Sequence, residues 1–377
     1  MPGTKHAVLS PSSSHIWLAC PPSARFASGF PDEDSQFARQ GTEAHSLCQH
    51  KLETALGRET ADPVPGMEFH DQEMEEASSD YALFVTEALA EMRGRCPDPQ
   101  VLIEQKLDFS RWVPEGFGYG DCIIAGDGEA RVIDFKYGLG VLVEADRNTQ
   151  MMCYALGALE LLDPLYDMKR ISMTIFQPRR ENVSTFSMSR EELLDWADNV
   201  LAPAAALAFE GKGDYRAGDH CRFCRARSVC RARAEHNLEM ARYDFRMPDS
   251  LEDPEIEAIL ARVDEFIAWA GDIKDHALSE ALKGKAYSGF KVVEGRSVRR
   301  YTDEGKAADA VSDAGFDPYE RKILGITAMS SLLGKKKFEE ILGPLVYKAP
   351  GKPALVPESD RRPAMETARE DFKVMEE

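Results

Sequence analysis

The chain of 377 residues is 43% hydrophobic and carries a formal net charge of −19 at pH 7. Nothing in it approaches the ~20 consecutive apolar residues of a transmembrane helix, which argues against a membrane protein. Residues 1–6 lack the apolar core of a signal peptide, so we expect a cytoplasmic protein whose cysteines are reduced. The negative charge also argues against a nucleic-acid partner, unless basic residues are concentrated locally.

The hydrophobic pattern alternates between helical and strand-like periods along the chain. In order, it predicts a short helix within 8–29, helices at 41–56 and 71–93, strands at 101–104, 119–125 and 130–135, a helix at 146–162, a strand at 170–177 and a helix at 189–209. This order predicts an α/β fold with a mixed β-sheet flanked by helices. Ser189 with Glu192 predicts a capping box at the start of the helix at 189–209. Further patterns predict one long helix at 251–283, a hairpin of 290–293 with 297–301 and shorter helices beyond it. We therefore divide the chain into residues 1–235 and a mainly helical C-terminal region, residues 236–377.

Carboxylates on the predicted strands suggest a metal site. Asp134 and Lys136 are separated by one residue on a strand, so their side chains face the same side of the sheet. Asp121 lies on the preceding strand, and Glu104 and His45 lie on earlier elements from which they could reach the same place. Carboxylate oxygens are the ligands that Mg²⁺ or Mn²⁺ prefers, and such an ion activates water for phosphodiester hydrolysis.

Two further features would complete such a site. Gln150 and Tyr154 are four residues apart on a predicted helix and share one face, from which an amide and a phenol could hold a DNA phosphate or base. The glycines of Gly118-Tyr119-Gly120 would let a substrate approach Asp121. Each feature alone has an ordinary alternative: a surface ion pair for the D-x-K triplet, a plain helix residue for the histidine and a packing contact for the helix pair.

The cysteines suggest a second metal site of softer character. Cys221, Cys224 and Cys230 form one short run, and Cys20 lies near the N-terminus. Four thiolates can hold a [4Fe–4S] cluster or a zinc ion. Structural zinc sites usually consist of two close cysteine pairs, which this layout fits poorly, so zinc is the less favoured occupant. The remaining cysteines are predicted to be small buried hydrophobes, namely Cys48, Cys96, Cys122 and Cys153.

Basic residues are concentrated in two segments. Arg299 and Arg300 precede Tyr301, a combination suited to phosphate contact with base stacking, although a plain exposed hairpin would have the same sequence. The other segment predicts a phosphate-binding surface, or alternatively salt bridges to the acidic helices; its arginines are Arg222, Arg225, Arg227, Arg231 and Arg233.

The ordered set of motifs over about residues 10–232 resembles the RecB-like branch of the PD-(D/E)xK nuclease superfamily. The motifs are G-T-x-x-H at 41–45, Glu104 on a strand, G-x-G-D at 118–121, D-x-K at 134–136 and Q-x-x-x-Y at 150–154. The resemblance implies a restriction-endonuclease-like core in residues 1–235. It also implies the role of each residue: metal ligands His45, Asp121 and Asp134, the catalytic lysine Lys136, the accessory acid Glu104 and the helix motif Gln150 and Tyr154.

The spacing of the cysteines is similar to that of iron–sulfur nucleases such as the AddB subunit of bacterial helicase–nucleases and the RecB-like nucleases associated with CRISPR systems. The C-terminal 100 residues resemble a phage-encoded nuclease family. Together these resemblances imply a Mg²⁺- or Mn²⁺-dependent DNA exonuclease acting on single strands or free ends in phage or prophage recombination, replication or repair.

Several alternatives remain open at this point. One is a catalytically silent DNA-binding or scaffold protein on the same fold, and another is a zinc-stabilised nuclease. Residues 236–377 would clamp DNA or bind a partner such as a phage recombination or single-strand-binding protein. The sequence contains no G-x-x-x-x-G-K-[ST] motif, so the chain is not expected to be a P-loop motor itself.

Overall fold

A computed structural model describes residues 7–31, 35–163, 165–239, 253–294, 301–319 and 323–347 of the protein. The chain divides into two compact units, Met1–Glu280 and Ala281–Glu377. The first unit therefore extends further along the chain than the domain predicted for residues 1–235. Among the described helices, none has both the length and the apolar character that crossing a membrane requires.

The first unit is built on a five-stranded sheet in the order β1-β2-β3-β4-β5. Only β3 and β4 run parallel, and the other neighbouring pairs are antiparallel, so the sheet is mixed as predicted. The strands are β1 (Gln100–Asp108), β2 (Phe117–Gly126), β3 (Glu129–Phe135), β4 (Arg170–Gln177) and β5 (Asn182–Ser189). The strand β5 was not predicted, because its alternate positions are polar or half-exposed at the edge of the sheet.

Helices cover both faces of this sheet. Those before it are α1 (Ser14–Ala19), α2 (Ser23–Ala27), α3 (Gln36–Ala55) and α4 (Gln72–Arg93). Those after β3 are α5 (Thr149–Leu162), α6 (Arg190–Trp196), α7 (Ala202–Glu210), α8 (Arg231–Leu238), α9 (Asp253–Leu260) and α10 (Val263–Leu282). Three helices are capped at their N-termini by side chains that accept hydrogen bonds from backbone N–H groups. Ser35 caps α3, Asp71 caps α4 and Asn148 caps α5. The predicted capping box of Ser189 and Glu192 is confirmed at α6.

Two hydrophobic cores result, one on each side of the sheet. Along β3, Val132 belongs to the core that contains α5, whereas Ile133 and Phe135 belong to the core that contains α3 and α4. Because both faces are covered, the central strands are apolar almost throughout, and a polar side chain in them stands out as an exception. Asp134 in β3 is such an exception, since it is only 3% exposed.

The C-terminal part is helical where the structure describes it. The helix predicted at 251–283 is two helices, α9 and α10, separated at residues 261–262. The second unit contains α11 (Glu304–Asp313), α12 (Ile326–Leu333) and α13 (Lys335–Leu342). Residues 290–294 are not in a strand, and most of the partner segment of the hairpin suggested there lies outside the described residues.

Candidate functional site

His45, Glu104 and Asp121 come together at the centre of the first unit. His45 lies in α3, Glu104 in β1 and Asp121 in β2. Each residue offers one ligand atom, and these three atoms lie within 4.8 Å of one another. Nδ1 of His45 lies 3.3 Å from Oδ1 of Asp121. Within the described ranges, this is the one His/Cys/Asp/Glu group compact enough to hold a single metal ion.

A distortion in the β1–β2 ladder positions the two carboxylates. Ile103 pairs with Cys122 and Gln105 pairs with Gly120, so Glu104 and Asp121 face each other at a break in the pairing. Glu104 has φ +48°, in the left-handed region, which costs a non-glycine residue about 1–3 kcal/mol.

The same break resets the alternation of side chains in both strands. In β1, Ile103 packs on the α3 side and Leu107 on the α5 side, although residues four apart in a regular strand share one face. In β2, Cys122 packs on the α3 side, whereas Gly118 approaches Tyr154 of α5. The distortion is a bulge-like feature of the kind found beside active sites.

The charges in this group are strongly coupled. Burial disfavours a charged His45, but attraction and a hydrogen bond to Asp121 outweigh it and raise its pKa to about 9. Burial, helped by repulsion from Asp121, raises the pKa of Glu104 to about 7. Burial would also raise the pKa of Asp121, yet the neighbouring His45 lowers it overall. A divalent cation would reverse this balance, because it binds neutral imidazole and ionised carboxylates and therefore releases protons.

A second polar group lies beside the first, between β3 and α5. Nζ of Lys136 lies 2.9 Å from Oδ2 of Asp134 and donates to Oε1 of Gln150 at 3.2 Å. The amide nitrogen of Gln150 donates to Oδ1 of Asp134 at 3.4 Å and to the hydroxyl of Tyr154 at 3.2 Å. The D-x-K pair thus shares one face. Asp134 is buried and Lys136 is half-buried, so the pair is not the surface ion pair considered as its alternative.

Burial and charge shift the titration of this pair as well. Burial raises the pKa of Asp134, and Lys136 offsets only part of the effect. The pKa of Lys136 is raised, because attraction to Asp134 and Asp121 exceeds the effect of burial. The lysine therefore stays protonated at neutral pH and is suited to electrostatic stabilisation, not to taking up a proton.

Phe135 connects the two groups and was not singled out from the sequence. Its backbone N–H donates to Oδ2 of Asp121 at 2.7 Å, and its ring meets the ring of His45 edge-on with centroids 5.4 Å apart. Its position between Asp134 and Lys136 would have allowed its placement to be predicted, because side chains alternate along a strand and this one therefore lies on the opposite face, towards α3.

Asp134 is close to the metal group without being a member of it. The three residues within 4.8 Å of one another are His45, Glu104 and Asp121, so the accessory acid Glu104 takes a ligand position in this geometry. The role of Asp134 as a ligand stays a prediction. Its Oδ2 atom faces Nζ of Lys136 at 2.9 Å and its Oδ1 atom accepts from Gln150 at 3.4 Å, so an ion bound by Asp134 would share these oxygens with the lysine and the amide.

The two glycines before Asp121 have a packing role. A Cβ on Gly118 would lie 2.7 Å from the Tyr154 ring and 2.8 Å from Pro11, and one on Gly120 would lie 2.9 Å from Leu107. Such contacts are too short for real side chains. The space beside these glycines is therefore filled by the protein's own residues, not kept open for a substrate as the sequence suggested.

The four cysteines of the predicted cluster line one small cavity. Cys20 follows α1, Cys221 lies within the 3-10 helix Asp219–Phe223, Cys224 directly follows that helix, and Cys230 precedes α8. Backbone N–H of Arg216 approaches Sγ of Cys20 at 3.5 Å. All eight cysteines are unpaired, and Cys48, Cys96, Cys122 and Cys153 are buried as predicted.

The sulfur atoms around this cavity are more widely spaced than a single zinc ion needs. Tetrahedral zinc with Zn–S bonds of about 2.3 Å brings its sulfur ligands to about 3.8 Å from one another. Among the described residues, no three of these cysteines meet the 4.8 Å spacing that the His45 group satisfies.

The arginines near the cysteines fall into two classes. Arg233 is 1% exposed and donates to Glu265 at 2.7 Å and to Asp272 of α10, which also accepts from Arg227 at 3.0 Å. For these two arginines the alternative of salt bridges to an acidic helix is correct. Arg222 and Arg225 are exposed, as a phosphate-binding surface requires.

Arg222 also lies against an aromatic ring, with its guanidinium carbon 5.2 Å from the centroid of Phe223. The other basic pair proposed for DNA contact, Arg299 and Arg300, lies outside the described residues, and the neighbouring Tyr301 is exposed.

The first unit is therefore an α/β protein with a mixed sheet whose centre carries a His–Glu–Asp group able to hold a metal ion. The chain belongs to the family described as "Protein of unknown function (DUF2800)", which matches residues 6–363. A solved structure described as "Crystal structure of SSO0001" is similar at 15% identity over 51% of this chain and 98% of that one, with a TM-score of 0.25. A score this low carries no argument about this chain.

Proposed function

We propose that this protein is a Mg²⁺- or Mn²⁺-dependent DNA nuclease of the RecB-like PD-(D/E)xK type, acting as an exonuclease in phage or prophage recombination, replication or repair. The observation that carries the proposal is the meeting of two groups at the centre of the sheet. His45, Glu104 and Asp121 lie within reach of one ion, and the pair of Asp134 and Lys136 adjoins them through the Phe135 amide.

The donor atoms suit a hard divalent cation. One imidazole nitrogen and two carboxylate groups leave room for water and a phosphate oxygen, which Mg²⁺ and Mn²⁺ prefer as additional ligands. When bound, such an ion would lower the pKa of a water molecule and neutralise charge on the phosphate. The chain's own contribution is to hold these donors in place, through the strand break at Glu104 and the hydrogen bond from Phe135 to Asp121.

Lys136 would supply fixed positive charge beside the reacting phosphate. Its ammonium group is held by Asp134 and Gln150, so it needs little rearrangement to act. Because it remains protonated, its role is to stabilise negative charge and to orient the attacking water. Gln150 is oriented in turn by its contact with the Tyr154 hydroxyl.

The cavity lined by four cysteines is the basis for proposing a [4Fe–4S] cluster there, held by Cys20, Cys221, Cys224 and Cys230, with zinc as the alternative occupant. Its role in the proposal is structural. It would join α1 to the segment before α8, two parts of the chain separated by the whole sheet, and so reduce the entropy of the unfolded chain. It would also fix Arg222 and Arg225 at the edge of the domain.

The test is cleavage of end-labelled single- and double-stranded DNA by the full chain in the presence of Mn²⁺. We expect cleavage by the wild type, loss of cleavage in Asp121→Asn and Glu104→Gln, and normal cleavage by Glu87→Gln, a change of an exposed carboxylate on α4. A wild type that binds DNA without cleaving it would instead identify a catalytically silent DNA-binding protein.

A further inference from the structure

The connection between β3 and α5 presents large apolar side chains at the surface. Leu139, Val141 and Leu142 are 48%, 41% and 40% exposed. They belong to residues 138–143, Gly-Leu-Gly-Val-Leu-Val, which we name the apolar loop. The loop begins two residues after Lys136 and leads to Asn148, the cap of the helix that carries Gln150. Both of its ends are therefore anchored at residues of the candidate site.

The backbone of the apolar loop is held by hydrogen bonds from β4 and β5. The amide nitrogen of the buried Gln177 donates to the carbonyls of Gly138 at 2.8 Å and Val141 at 2.9 Å, and its oxygen accepts from the N–H of Val143 at 3.2 Å. Asn182 donates to the carbonyl of Val143 at 2.8 Å.

These hydrogen bonds satisfy backbone N–H and carbonyl groups of the apolar loop on the side that faces the protein. The side chains of Leu139, Val141 and Leu142 are consequently displayed on a fixed frame. Exposed apolar side chains grouped together in this way mark an interaction surface more often than scattered ones do.

The chemistry of the loop favours nucleic-acid bases over phosphates. Residues 138–143 contain no charged side chain, so the loop itself offers methyl groups. Arg180 is exposed beside it and donates to the carbonyl of Leu139 at 3.0 Å, which places a positive charge at the edge of the apolar surface. Apolar contact for a base and a cation for its phosphate are the two elements by which proteins bind unpaired strands.

We propose that the apolar loop contacts unpaired bases of the DNA strand that enters the candidate site, and so selects single strands or frayed ends as substrate. The proposal rests on the nuclease function proposed above and adds the class of DNA that this site takes. In a fully paired duplex the base faces are stacked and inaccessible. Apolar side chains such as those of Leu139 and Leu142 reach them most easily where a strand is open, because entry between the base pairs of a duplex costs the free energy of unstacking.

The test compares two triple variants of the full chain. One is Leu139→Ala with Val141→Ala and Leu142→Ala. The matched control is Leu161→Ala with Leu165→Ala and Val200→Ala, which removes two leucines and one valine that are also exposed. Binding is measured without cleavage, by fluorescence anisotropy of a phosphorothioate single strand and of a blunt duplex in Ca²⁺, and base contact is measured with a 2-aminopurine label.

We expect the loop variant to bind the single strand about tenfold or more weakly, with a smaller change for the duplex and with loss of the 2-aminopurine signal. The control variant should bind both as the wild type does. The single variant Leu139→Phe, which introduces a flat ring suited to stacking on a base, should bind the single strand at least as tightly as the wild type. Thermal melting should be unchanged in all three, because the altered side chains are exposed.

Two results would overturn the inference. If the loop variant binds the single strand as the wild type does, the loop serves another purpose, such as contact with a protein. If single strand and duplex lose affinity equally, the loop does not read unpaired bases. If the wild type binds DNA and only the loop result fails, the proposed nuclease function stands, whereas a wild type that neither binds nor cleaves DNA defeats both.

Discussion

The backbone N–H of Phe135 donates a 2.7 Å hydrogen bond to Oδ2 of Asp121, and this bond joins the two halves of the candidate site. The other oxygen of the same carboxylate faces His45 at 3.3 Å. Both oxygens of Asp121 are thus oriented by the protein, one by β3 and one by α3. A carboxylate fixed in this way loses little freedom when it binds an ion, which favours tight and specific coordination.

The first prediction concerns Lys136 and uses a second D-x-K triplet as its control. Asp167 and Lys169 have the same spacing and form a 3.2 Å pair, but they are 76% and 75% exposed. We expect Lys136→Met to lower the rate of DNA cleavage by about 100-fold or more, because it removes a half-buried positive charge at the reacting phosphate. Lys169→Met should leave the rate unchanged. Single-turnover cleavage assays measure both, and equal effects of the two changes would contradict the role of Lys136.

These two triplets also show how far the sequence alone could go. The order of helices and strands was predictable because apolar residues recur with the period of each element. A D-x-K triplet, however, occurs four times in the sequence. The fold places the one at residues 134–136 between β3 and α5, whereas the one at 167–169 is exposed. The motif order of the resembling family selected the triplet at residues 134–136, a choice that local sequence could not make.

Other features depended on contacts between distant residues. The break that aims Glu104 at Asp121 interrupts the pairing of two strands at a left-handed residue, and no local pattern encodes where that interruption falls. Arg233 looked like a phosphate-binding residue because its partners, Glu265 and Asp272, are more than thirty positions away in the chain. The polar strand β5 was missed because an edge strand with one solvated face needs few apolar residues.

The second prediction is that the affinity for Mn²⁺ rises with pH. Protons compete with the ion at Glu104, whose pKa is about 7, and at His45, whose pKa is about 9. We expect affinity to increase from about pH 6 to about pH 9, more steeply below about pH 7, where both groups must lose a proton, than above it, where only the imidazole does. Electron paramagnetic resonance of free Mn²⁺ measures it. Glu104→Gln should flatten the lower part of the curve, and an affinity independent of pH in the wild type would rule out these ligands.

The third prediction concerns the stability of the metal-free protein. His45 has a pKa raised from 6.5 to about 9 by its contact with Asp121. A group with a raised pKa in the folded state stabilises it fully below the unfolded value and loses this contribution as pH rises through the folded value.

The melting temperature should therefore fall as the pH is raised from about 6.5 to about 9 in the presence of a chelator. His45→Gln should remove most of this slope. As a control, His276→Gln changes a histidine of α10 away from the site and should preserve it. A slope that persists in His45→Gln would show that another group is responsible.

The fourth prediction concerns the cysteine cavity. Anaerobically purified wild type should contain iron and show broad absorbance at about 400 nm, as thiolate-bound clusters do. Cys20→Ala should lose both the iron and the absorbance, because it removes one of the four cysteines around the cavity. Cys153→Ala, a change at a buried cysteine of α5, should keep both. Metal analysis that finds zinc without iron would identify the alternative occupant.

The fifth prediction separates a structural arginine from one suited to DNA. Arg233→Met should destabilise the protein by about 3–5 kcal/mol, because it leaves the carboxylates of Glu265 and Asp272 without their buried partner. Arg222→Met should leave stability unchanged, because that side chain is exposed. It should instead weaken DNA binding and reduce the salt dependence of the affinity by the amount expected for about one phosphate contact.

Urea unfolding and DNA binding at several salt concentrations measure the two effects separately. The decisive comparison is the salt dependence of Arg222→Met against that of Arg180→Met, the exposed arginine beside the apolar loop. If both arginines contact phosphates, each change should reduce the slope and the double change should reduce it by the sum, since separate phosphate contacts add. If Arg222→Met leaves the salt dependence of binding unchanged, DNA contacts the region of the metal group but not the surface around the cysteines.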